Sequence, residues 1–345
     1  MKKSKSIEMI KDSNMNKIQK NSYSVNDNGK QIEVGFPQID KLSMVVYPDK
    51  ALHGVAYATV LELLEQKEKA YANAKRSARY PLAVKLLLPL AEYDAGTKPP
   101  HLLLQFTSKK TEKPQIRLEY NPAYVSDAAK ELLDVEMTSL LGVTFSELLH
   151  HAKITRIDWC IDLYGVHIEE YLYRATWWKA VQIFCGTETG RLQSMTYGKS
   201  SGNQALIYDK ATELFGTDTA QQITRIEIRN RTGCEAKQLA KAKYPFKRLQ
   251  LYPTHCKLWP FSKAHYHAFR DSCHLRGIKN AIKMQPANTH KKIAKALSDA
   301  PASWWEKIPE QWEYFLHNAL TQAGLANIPT SAPPLELDFL TGNAA

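Results

Sequence analysis

Two short segments in the middle third of the chain alternate between apolar and charged residues. Successive side chains of a β-strand point to opposite faces, so this alternation predicts two strands that each have one apolar and one charged face. The charged faces are those of Arg156, Asp158 and Asp162 in the first segment and Arg225, Glu227 and Arg229 in the second. A carboxylate in the middle of a strand needs a partner when it is buried. The pattern therefore predicts either arginine ion pairs or a divalent metal on these faces.

The hydrophobic periodicity of the remaining chain predicts a mixture of strands and helices. Strands are expected at residues 41–47 and 223–230, and hairpins at 102–120 and 194–210. Helices are expected at 52–80, at 168–184, and from a cap at Ser126 to a stop at Gly142. The chain beyond Gly233 reads as mainly helical, with a final helical region at 302–325.

The order of these elements indicates the fold class and the domains. Strands and helices mix without a regular βαβα rhythm, so the prediction is an α+β fold with an antiparallel sheet flanked by helices. Residues 1–35 are polar and lysine-rich and are expected to form a disordered basic arm. An N-terminal α+β region is expected at 36–120, the main functional domain at 121–328, and a flexible tail at 329–345.

Net charge is +11 over 345 residues, and its distribution is uneven. Residues 231–295 contain fifteen basic side chains and only two acidic ones, Glu235 and Asp271. Such one-sided charge is typical of a nucleic-acid binder. Aromatic residues are interleaved with the cations and would suit stacking on unpaired bases, although some must form a core. They are Tyr244, Phe246, Tyr252, Trp259, Phe261, Tyr266 and Phe269.

The five cysteines include no CxxC pair and are odd in number, which argues against a zinc ribbon or a disulfide framework. The N-terminus lacks the apolar segment of a signal peptide, and no apolar run has the length of a membrane span. A cytoplasmic location without a membrane partner is therefore expected.

The carboxylates can be read in two ways. Asp158 and Asp162 lie four residues apart, so their Cα atoms should be roughly 13 Å apart, which is far for one metal ion. Asp158 together with Glu227 from a neighbouring strand makes a better pair, and Asp162 would be a more distant ligand. Carboxylate oxygens suit Mg²⁺ or Mn²⁺. The alternative is a structural set of ion pairs with Arg156, Arg225 and Arg229.

Tyr208 shares a strand face with Lys210 in the segment Ile207-Tyr208-Asp209-Lys210. A tyrosine hydroxyl can attack phosphorus when a cation stabilises its ionised form, and it then becomes a covalent phosphotyrosine. Lys210 is placed to neutralise charge on the transferring phosphate. The simpler interpretation is that Tyr208 is one strand tyrosine among seventeen.

The three segments in this order resemble the replication initiation factor family of the Rep_trans type. This family includes initiators of rolling-circle plasmids, replication proteins of filamentous phages, and related relaxases. The resemblance covers roughly residues 120–270, and Leu118-Glu119-Tyr120-Asn121-Pro122 is similar to a segment upstream of this core in phage members. The matching residues are Arg156, Asp158, Asp162, Tyr197, Gly198, Lys199, Ser200, Tyr208, Asp209, Lys210, Arg225 and Glu227.

The resemblance implies a rolling-circle nickase fold and a site-specific enzyme that nicks and rejoins one DNA strand at an origin. The nucleophilic tyrosine falls on Tyr208, with Tyr197 as the fallback, and Lys210 and Arg156 would assist it. The metal ligands fall on Asp158 and Glu227, and less firmly on Asp162. Origin DNA, partly single-stranded, would be the main partner. A host helicase and polymerase, and a second copy of the chain, are further expected partners.

Three other functions stay open on the sequence alone. They are a relaxase with the same chemistry, a DNA-binding protein without catalysis, and a metal nuclease that uses water. His265 and His267 are expected to contact DNA or lie on the surface rather than to bind a metal, because residues two apart on a helix do not face each other. The residues expected to contact DNA are Lys199, Lys243, Lys247, Arg248, Lys279 and Lys283.

Overall fold

The computed structural model describes residues 22–27, 29–65, 71–87, 101–176, 180–186, 190–216, 219–254, 259–299 and 301–326. The described strands are β1 (Ser22–Asp27), β2 (Lys30–Gly35), β3 (Gln38–Val46), β4 (Tyr71–Asn73), β5 (Leu82–Leu87), β6 (His101–Phe106), β7 (Ile116–Tyr120), β8 (Lys153–Tyr164), β9 (Tyr171–Ala175), β10 (Val181–Cys185), β11 (Leu192–Tyr197), β12 (Gln204–Asp209), β13 (Ile223–Glu235) and β14 (Leu249–Pro253). The described α-helices are α1 (Lys50–Glu65), α2 (Asp127–Leu141), α3 (Phe145–His151), α4 (Lys210–Phe215), α5 (Lys263–Arg276), α6 (Ile278–Lys283), α7 (Ala287–Asp299), α8 (Ser303–Lys307) and α9 (Trp312–Gln322).

The chain divides into two compact units, each assembled from separate stretches of sequence. The first unit contains the described residues within 1–38, 159–230 and 243–315, and the second contains those within 39–158, 231–242 and 316–345. The division falls within β3, β8, β13 and α9. The functional domains expected from the sequence stay predictions, because these units are defined by compactness alone.

The first unit is built on an antiparallel sheet. Strands β10, β11, β12 and β13 pair in sequence order, followed by the second half of β8. β2 pairs with the end of β8 and with β1. β9 and β14 form a separate two-stranded antiparallel sheet. Aromatic side chains join the last helices to this unit: the Trp305 indole donates to the Leu249 carbonyl at 2.9 Å, and the Trp159 and Trp312 rings meet edge to face.

In the second unit, strands pair antiparallel in the order β3, β7, β6, β5 and β4. Leu104 and Leu118, which are opposite one another in β6 and β7, are fully buried, as is Met137 of α2. The hydroxyl of Tyr120 donates to the Ala323 carbonyl at 3.1 Å and ties the C-terminal segment to this core. Antiparallel pairing in both units confirms the predicted α+β class.

Local sequence signals placed several elements correctly. Helix α2 begins at Ser126, whose hydroxyl accepts from the Ala129 amide, and it ends at Gly142, whose φ of +70° favours glycine. The expected strands at 41–47 and 223–230 and the hairpins at 102–120 and 194–210 all appear, with shifts of a few residues. These segments combine strong alternation with clear turn residues, so local preference and tertiary packing agree.

Three predictions of secondary structure were wrong. The helix expected at 168–184 is instead β9 and β10, because the aromatic run Tyr171-Leu172-Tyr173 finds a strand partner in β14, about eighty residues away along the chain. Helix α1 ends at Glu65 instead of continuing to residue 80. Residues 22–35 form the β1–β2 pair instead of belonging to a disordered arm, while residues 1–21 and the expected tail at 329–345 lie outside the described residues.

Within the described parts of the chain, no helix is both long and apolar enough to cross a membrane.

A buried histidine makes the stability of the first unit depend on pH. His274 of α5 has its Nε2 atom 3.2 Å from the Tyr171 carbonyl, to which a neutral ring can donate. Burial lowers the pKa of His274, partly offset by this hydrogen bond and by Glu169. The unfolded chain therefore takes up this proton at a higher pH than the folded chain does. The stabilisation is complete above about pH 6.5 and is lost as pH falls below that value.

We expect His274→Gln to reduce the loss of unfolding free energy that accompanies a fall in pH. Urea unfolding between about pH 7.5 and about pH 5.5 should show a smaller loss of unfolding free energy for the variant than for the wild-type chain, because glutamine cannot be protonated. His267→Gln, on the exposed side of the same helix, is the control and should behave as wild type. If His274→Gln lost as much unfolding free energy at acid pH as the wild-type chain, His274 would not be the cause of the pH dependence.

Candidate functional site

The β12 strand separates an apolar face from a polar face of the first unit's sheet. Ala205 and Ile207 lie opposite Ile228 and Ile226 of β13, and all four side chains are buried. The alternate positions of β12 lie opposite charged residues, because directly opposed residues of an antiparallel pair point to the same face. On that face Gln204 is opposite Arg229, Leu206 is opposite Glu227, and Tyr208 is opposite Arg225.

Tyr208 lies on the polar face and is only partly buried. Its strand neighbours are Ser194 of β11 and Arg225 of β13. The Lys210 ammonium lies 5.9 Å from the centre of the Tyr208 ring and forms an ion pair with Glu213 at 3.1 Å. This distance is to the ring centre, so the contact is one between a cation and the face of the ring.

Tyr197 lies on the opposite, apolar face. It is paired with Ala205, and its buried hydroxyl donates to the Tyr173 carbonyl at 3.0 Å. Burial raises the pKa of Tyr197 above its ordinary value. A buried phenol that is already hydrogen-bonded and hard to ionise is poorly suited to attack a phosphate. Of the two candidate tyrosines, Tyr208 is therefore the one on the polar face, and its role as a nucleophile stays a prediction.

Asp162 and Arg225 form a buried, two-pronged ion pair in the first unit. The Arg225 Nε and Nη2 atoms lie 2.7 Å from the Asp162 Oδ1 and Oδ2 atoms, respectively. The Asp162 and Arg225 residues are 2% and 8% exposed. Both oxygens of the carboxylate already accept strong, charge-assisted hydrogen bonds. This geometry supports a structural role for Asp162, in line with the ion-pair alternative.

Glu227 is held differently. Its Oε1 atom accepts from Arg229 Nη2 at 3.0 Å, and Arg229 Nη1 donates to Gln204 Oε1 at 3.0 Å. Glu227 is 4% exposed and lies on the same face as Tyr208, one strand away. The first unit thus brings Tyr208 and Glu227 together on one face.

The remaining predicted residues of the first strand, Arg156 and Asp158, belong to the second unit. Arg156 donates from Nε to Asp158 Oδ1 at 2.8 Å and from Nη2 to Oδ2, and the Asp158 side chain is 1% exposed. The convergence of Asp158 with Glu227 on one cation stays a prediction.

Glu119 of the second unit was not singled out as a site residue. Its Oε2 atom accepts from the Ser43 hydroxyl at 2.6 Å and from Arg117 Nη2 at 2.5 Å. Burial alone would raise the pKa of Glu119, but Lys41, the Ser43 hydroxyl and Arg117 lower it below the ordinary value. The motif Arg117-Leu118-Glu119 repeats the Arg-apolar-Glu alternation of Arg225-Ile226-Glu227, and this repetition could have identified it.

The chemistry of the donors fits a hard divalent cation, although the structure assembles no large ligand set. Nowhere in the described ranges do three or more His, Cys, Asp or Glu side chains form a group that could hold a metal. Mg²⁺ commonly uses one or two carboxylates together with water and substrate phosphate oxygens. Glu227 in the first unit and Asp158 in the second each have a carboxylate of this kind, and each is bound by an arginine.

The residues predicted to contact DNA are all exposed. Lys247 and Arg248 lie in the short 3-10 helix Pro245–Arg248, and Lys243 precedes it. Lys279 and Lys283 lie on α6, and Lys199 follows β11. His265 and His267 are exposed on α5, and His265 Nε2 lies 2.9 Å from Gln285 Oε1.

The aromatic residues interleaved with these cations do not serve as the expected stacking surface. Five of the seven rings are buried, and Tyr244 and Phe261 are partly buried. Most of these rings instead pack in the buried core that supports the helices of this segment. The buried rings are Phe246, Tyr252, Trp259, Tyr266 and Phe269.

Removing Arg225 should show whether Asp162 has a structural role. We expect Arg225→Met to lower the free energy of unfolding by about 3–5 kcal/mol, because it leaves a buried carboxylate without its partner. The double variant Arg225→Met/Asp162→Leu should recover part of that loss. Urea unfolding measures both, with the exposed Arg276→Met as the control, for which a change within about 0.5 kcal/mol is expected. A single variant as stable as the control would rule out this role.

Comparison with known proteins gave a structural likeness and no match in sequence. No family model and no curated protein matches the chain. A search of solved structures matched it with the rolling circle replication initiator protein of Geobacillus stearothermophilus. The two chains are 16% identical, and the match covers 71% of this chain and 98% of the other, with a TM-score of 0.35. At this TM-score no residue role can be carried over from that protein to this chain.

Proposed function

We propose that this protein nicks and rejoins one strand of DNA at an origin through Tyr208 and thereby starts rolling-circle replication of a phage or plasmid. The observation that carries the proposal is the placement of Tyr208. Its partly exposed phenol shares a polar sheet face with Glu227, and the Lys210 ammonium lies beside its ring. The order of the charged motifs along the chain supports the same function.

The reaction is an exchange of phosphodiester bonds. The Tyr208 oxygen attacks the scissile phosphorus as the phenol loses its proton, and the bond to the 3′ oxygen breaks. Tyr208 then holds the 5′ phosphate, while the released 3′ hydroxyl primes synthesis. Attack by a 3′ hydroxyl on the phosphotyrosine later reseals the strand without a nucleotide cofactor, because the covalent bond preserves the energy of the one that was broken.

The charged side chains around Tyr208 would stabilise this exchange. Lys210 is positioned to offset negative charge on the attacking oxygen and on the phosphate. Asp158 and Glu227 would hold Mg²⁺ or Mn²⁺, which supplies further positive charge to the phosphate oxygens. Arg156 fixes the orientation of Asp158, and Arg229 does the same for Glu227. Asp162 would act only indirectly, because both of its oxygens bind Arg225.

The nucleic-acid partner would be origin DNA with the nick site exposed as a single strand. The exposed cations Lys199, Lys243, Lys247, Arg248, Lys279 and Lys283 would contact its phosphates. A host helicase and polymerase would act after the nick, and a second copy of the chain is a further partner in this proposal. A relaxase would use the same chemistry for DNA transfer.

A second function, DNA binding without catalysis, is favoured by one observation. Asp158, Asp162 and Glu227 each form an ion pair with an arginine. Structural ion-pair networks of this kind need no substrate or metal to be stable. The two functions differ in whether a covalent protein–DNA adduct forms.

Tyr208→Phe should abolish the covalent adduct while leaving the fold intact, because it removes one hydroxyl from a partly exposed ring. The chain would be incubated with Mn²⁺ and a pool of end-labelled single-stranded oligonucleotides covering the DNA element that encodes it. Adducts are then resolved on a denaturing gel, and the attached peptide is mapped. We expect at least about a thousandfold loss, as for removal of a nucleophile that acts with its neighbours.

Tyr197→Phe is the matched control. It should keep the adduct and lose only about 1 kcal/mol of stability with the hydrogen bond to Tyr173. Loss of the adduct in Tyr197→Phe but not in Tyr208→Phe would show that the nucleophile is misassigned. Cleavage without any adduct would indicate a water-using nuclease, and duplex binding with neither would support the non-catalytic function.

Glu227→Gln should reduce adduct formation by at least about a hundredfold, because it removes the negative charge that holds the cation. Chelation of divalent ions should reduce the wild-type reaction to the same level. The exposed Glu310→Gln is the control and should react as wild type. Full activity of Glu227→Gln would remove this residue from the proposed site.

A further inference from the structure

Helices α5, α6 and α7 of the first unit pack around one small apolar core. Tyr266 and Phe269 of α5, Ile278 of α6, and Ile293 and Leu297 of α7 all contribute to the same buried cluster. The two-stranded sheet adds Leu172 and Tyr252 to it. The three helices are therefore fixed on a common support.

The turn between α6 and α7 has the length of the turn in a helix-turn-helix motif. Helix α6 ends at Lys283 and α7 begins at Ala287, which leaves three residues in the turn. In this motif the second helix presents its outer face to the major groove of duplex DNA. Gly277, with a φ of +75°, separates α5 from α6 and permits the change of chain direction before the pair.

Helix α7 has a buried apolar side and an exposed cationic side. Ile293 and Leu297, one turn apart, face the core. At 100° per residue, Asn288, Lys291 and Lys295 fall on the opposite side, and Lys292 lies at its edge. All four of these side chains are exposed, and the only acidic residue of the helix is Asp299 at its last position.

We propose that α7 is a recognition helix that binds in the major groove of duplex DNA. With 13 residues it is about 20 Å long, and the major groove is about 12 Å wide and admits one helix. Lys291, Lys292 and Lys295 contact phosphates and guanine edges, and Asn288 in the first turn has the amide that pairs with adenine. Lys279 and Lys283 of α6 lie on the preceding helix, which crosses the backbone in this motif.

Charge complementarity and the buried aromatic rings point to a duplex rather than to a single strand. Proteins that bind single strands present exposed aromatic rings on which bases stack. Within the described stretch 259–299, the rings of Trp259, Tyr266 and Phe269 are buried and that of Phe261 is partly buried. The outer surface of α7 instead offers amines and an amide, which are the groups that contact phosphates and read base edges.

The test replaces the lysines of α7 and compares the effect on duplex affinity with that of replacing lysines in the second unit. The triple variant Lys291→Ala/Lys292→Ala/Lys295→Ala would be measured against a 30-base-pair duplex pool with a random centre, by fluorescence anisotropy over a series of salt concentrations. We expect at least a tenfold weaker affinity, and a salt slope that is smaller by about 0.9 for each of the three lysines that neutralises a phosphate. Asn288→Ala should change the sequences that the protein selects from the pool without changing that slope.

The matched control removes the same charge from the second unit. Lys75, Lys110 and Lys113 are exposed there, and their triple alanine variant should bind the duplex within about twofold of wild type, because screened charges that make no contact contribute little. Equal losses in both triple variants would overturn the proposal, and so would the absence of duplex binding in the wild-type chain. Thermal unfolding of both variants should match wild type, since every substituted residue is exposed.

The inference rests on the proposed function only for its biological setting, and the two can fail separately. The lysine variant should still form the Tyr208 adduct on single-stranded oligonucleotides, which need no duplex recognition. If the adduct forms and the α7 variant binds duplex normally, the recognition helix is wrong and the proposed function stands. If no adduct forms in any chain and duplex binding still depends on α7, the recognition helix stands and the proposed function is wrong.

Discussion

The burial of carboxylates on the strand faces is the constraint on which the polar strand faces of both units depend. An ionised carboxylate loses its hydration when it is buried and must recover that energy from a nearby donor. Here each one does so from an arginine: Asp162 from Arg225, Glu227 from Arg229, and Asp158 from Arg156. Since arginine and carboxylate must face the same way, these pairs also help to fix which side of each strand is polar, and hence which side Tyr208 occupies.

The polar face could be predicted from the sequence because strand alternation is a local property. The segments containing Arg156, Asp158, Arg225 and Glu227 alternate so regularly that the face of each side chain follows once a strand is assumed. The resemblance placed the nucleophile on Tyr208 with Tyr197 as the fallback, but the sheet face that each tyrosine occupies needed the structure. Both occur in β-hairpin segments, but only the pairing register shows that Tyr197 faces Ala205 on the apolar side and Tyr208 faces Arg225 on the polar side.

The errors in the sequence analysis come from long-range pairing. A period of 3.6 residues at 168–184 predicted a helix, yet β9 pairs with β14, and the partner strand outweighs the local pattern. The aromatic residues among the cations were expected to stack on bases, but a small helical group needs large buried side chains to be stable, and Trp259, Tyr266 and Phe269 fill that need. The local sequence does not show whether an aromatic ring will pack in a core or stack on a base.

The arginine pairs are compatible with phosphoryl transfer in spite of occupying the carboxylates. A DNA phosphate presents two oxygens in the geometry that a guanidinium binds with two hydrogen bonds. Arg229 Nη2 donates to Glu227 Oε1 at 3.0 Å, and the Arg229 side chain is 22% exposed, whereas the Arg225 side chain, which binds Asp162 at 2.7 Å, is only 9% exposed. An incoming phosphate would therefore compete more effectively for Arg229 than for Arg225. Under the proposed function, substrate binding would release Glu227 to act beside Tyr208 while the Asp162–Arg225 pair keeps the sheet in place.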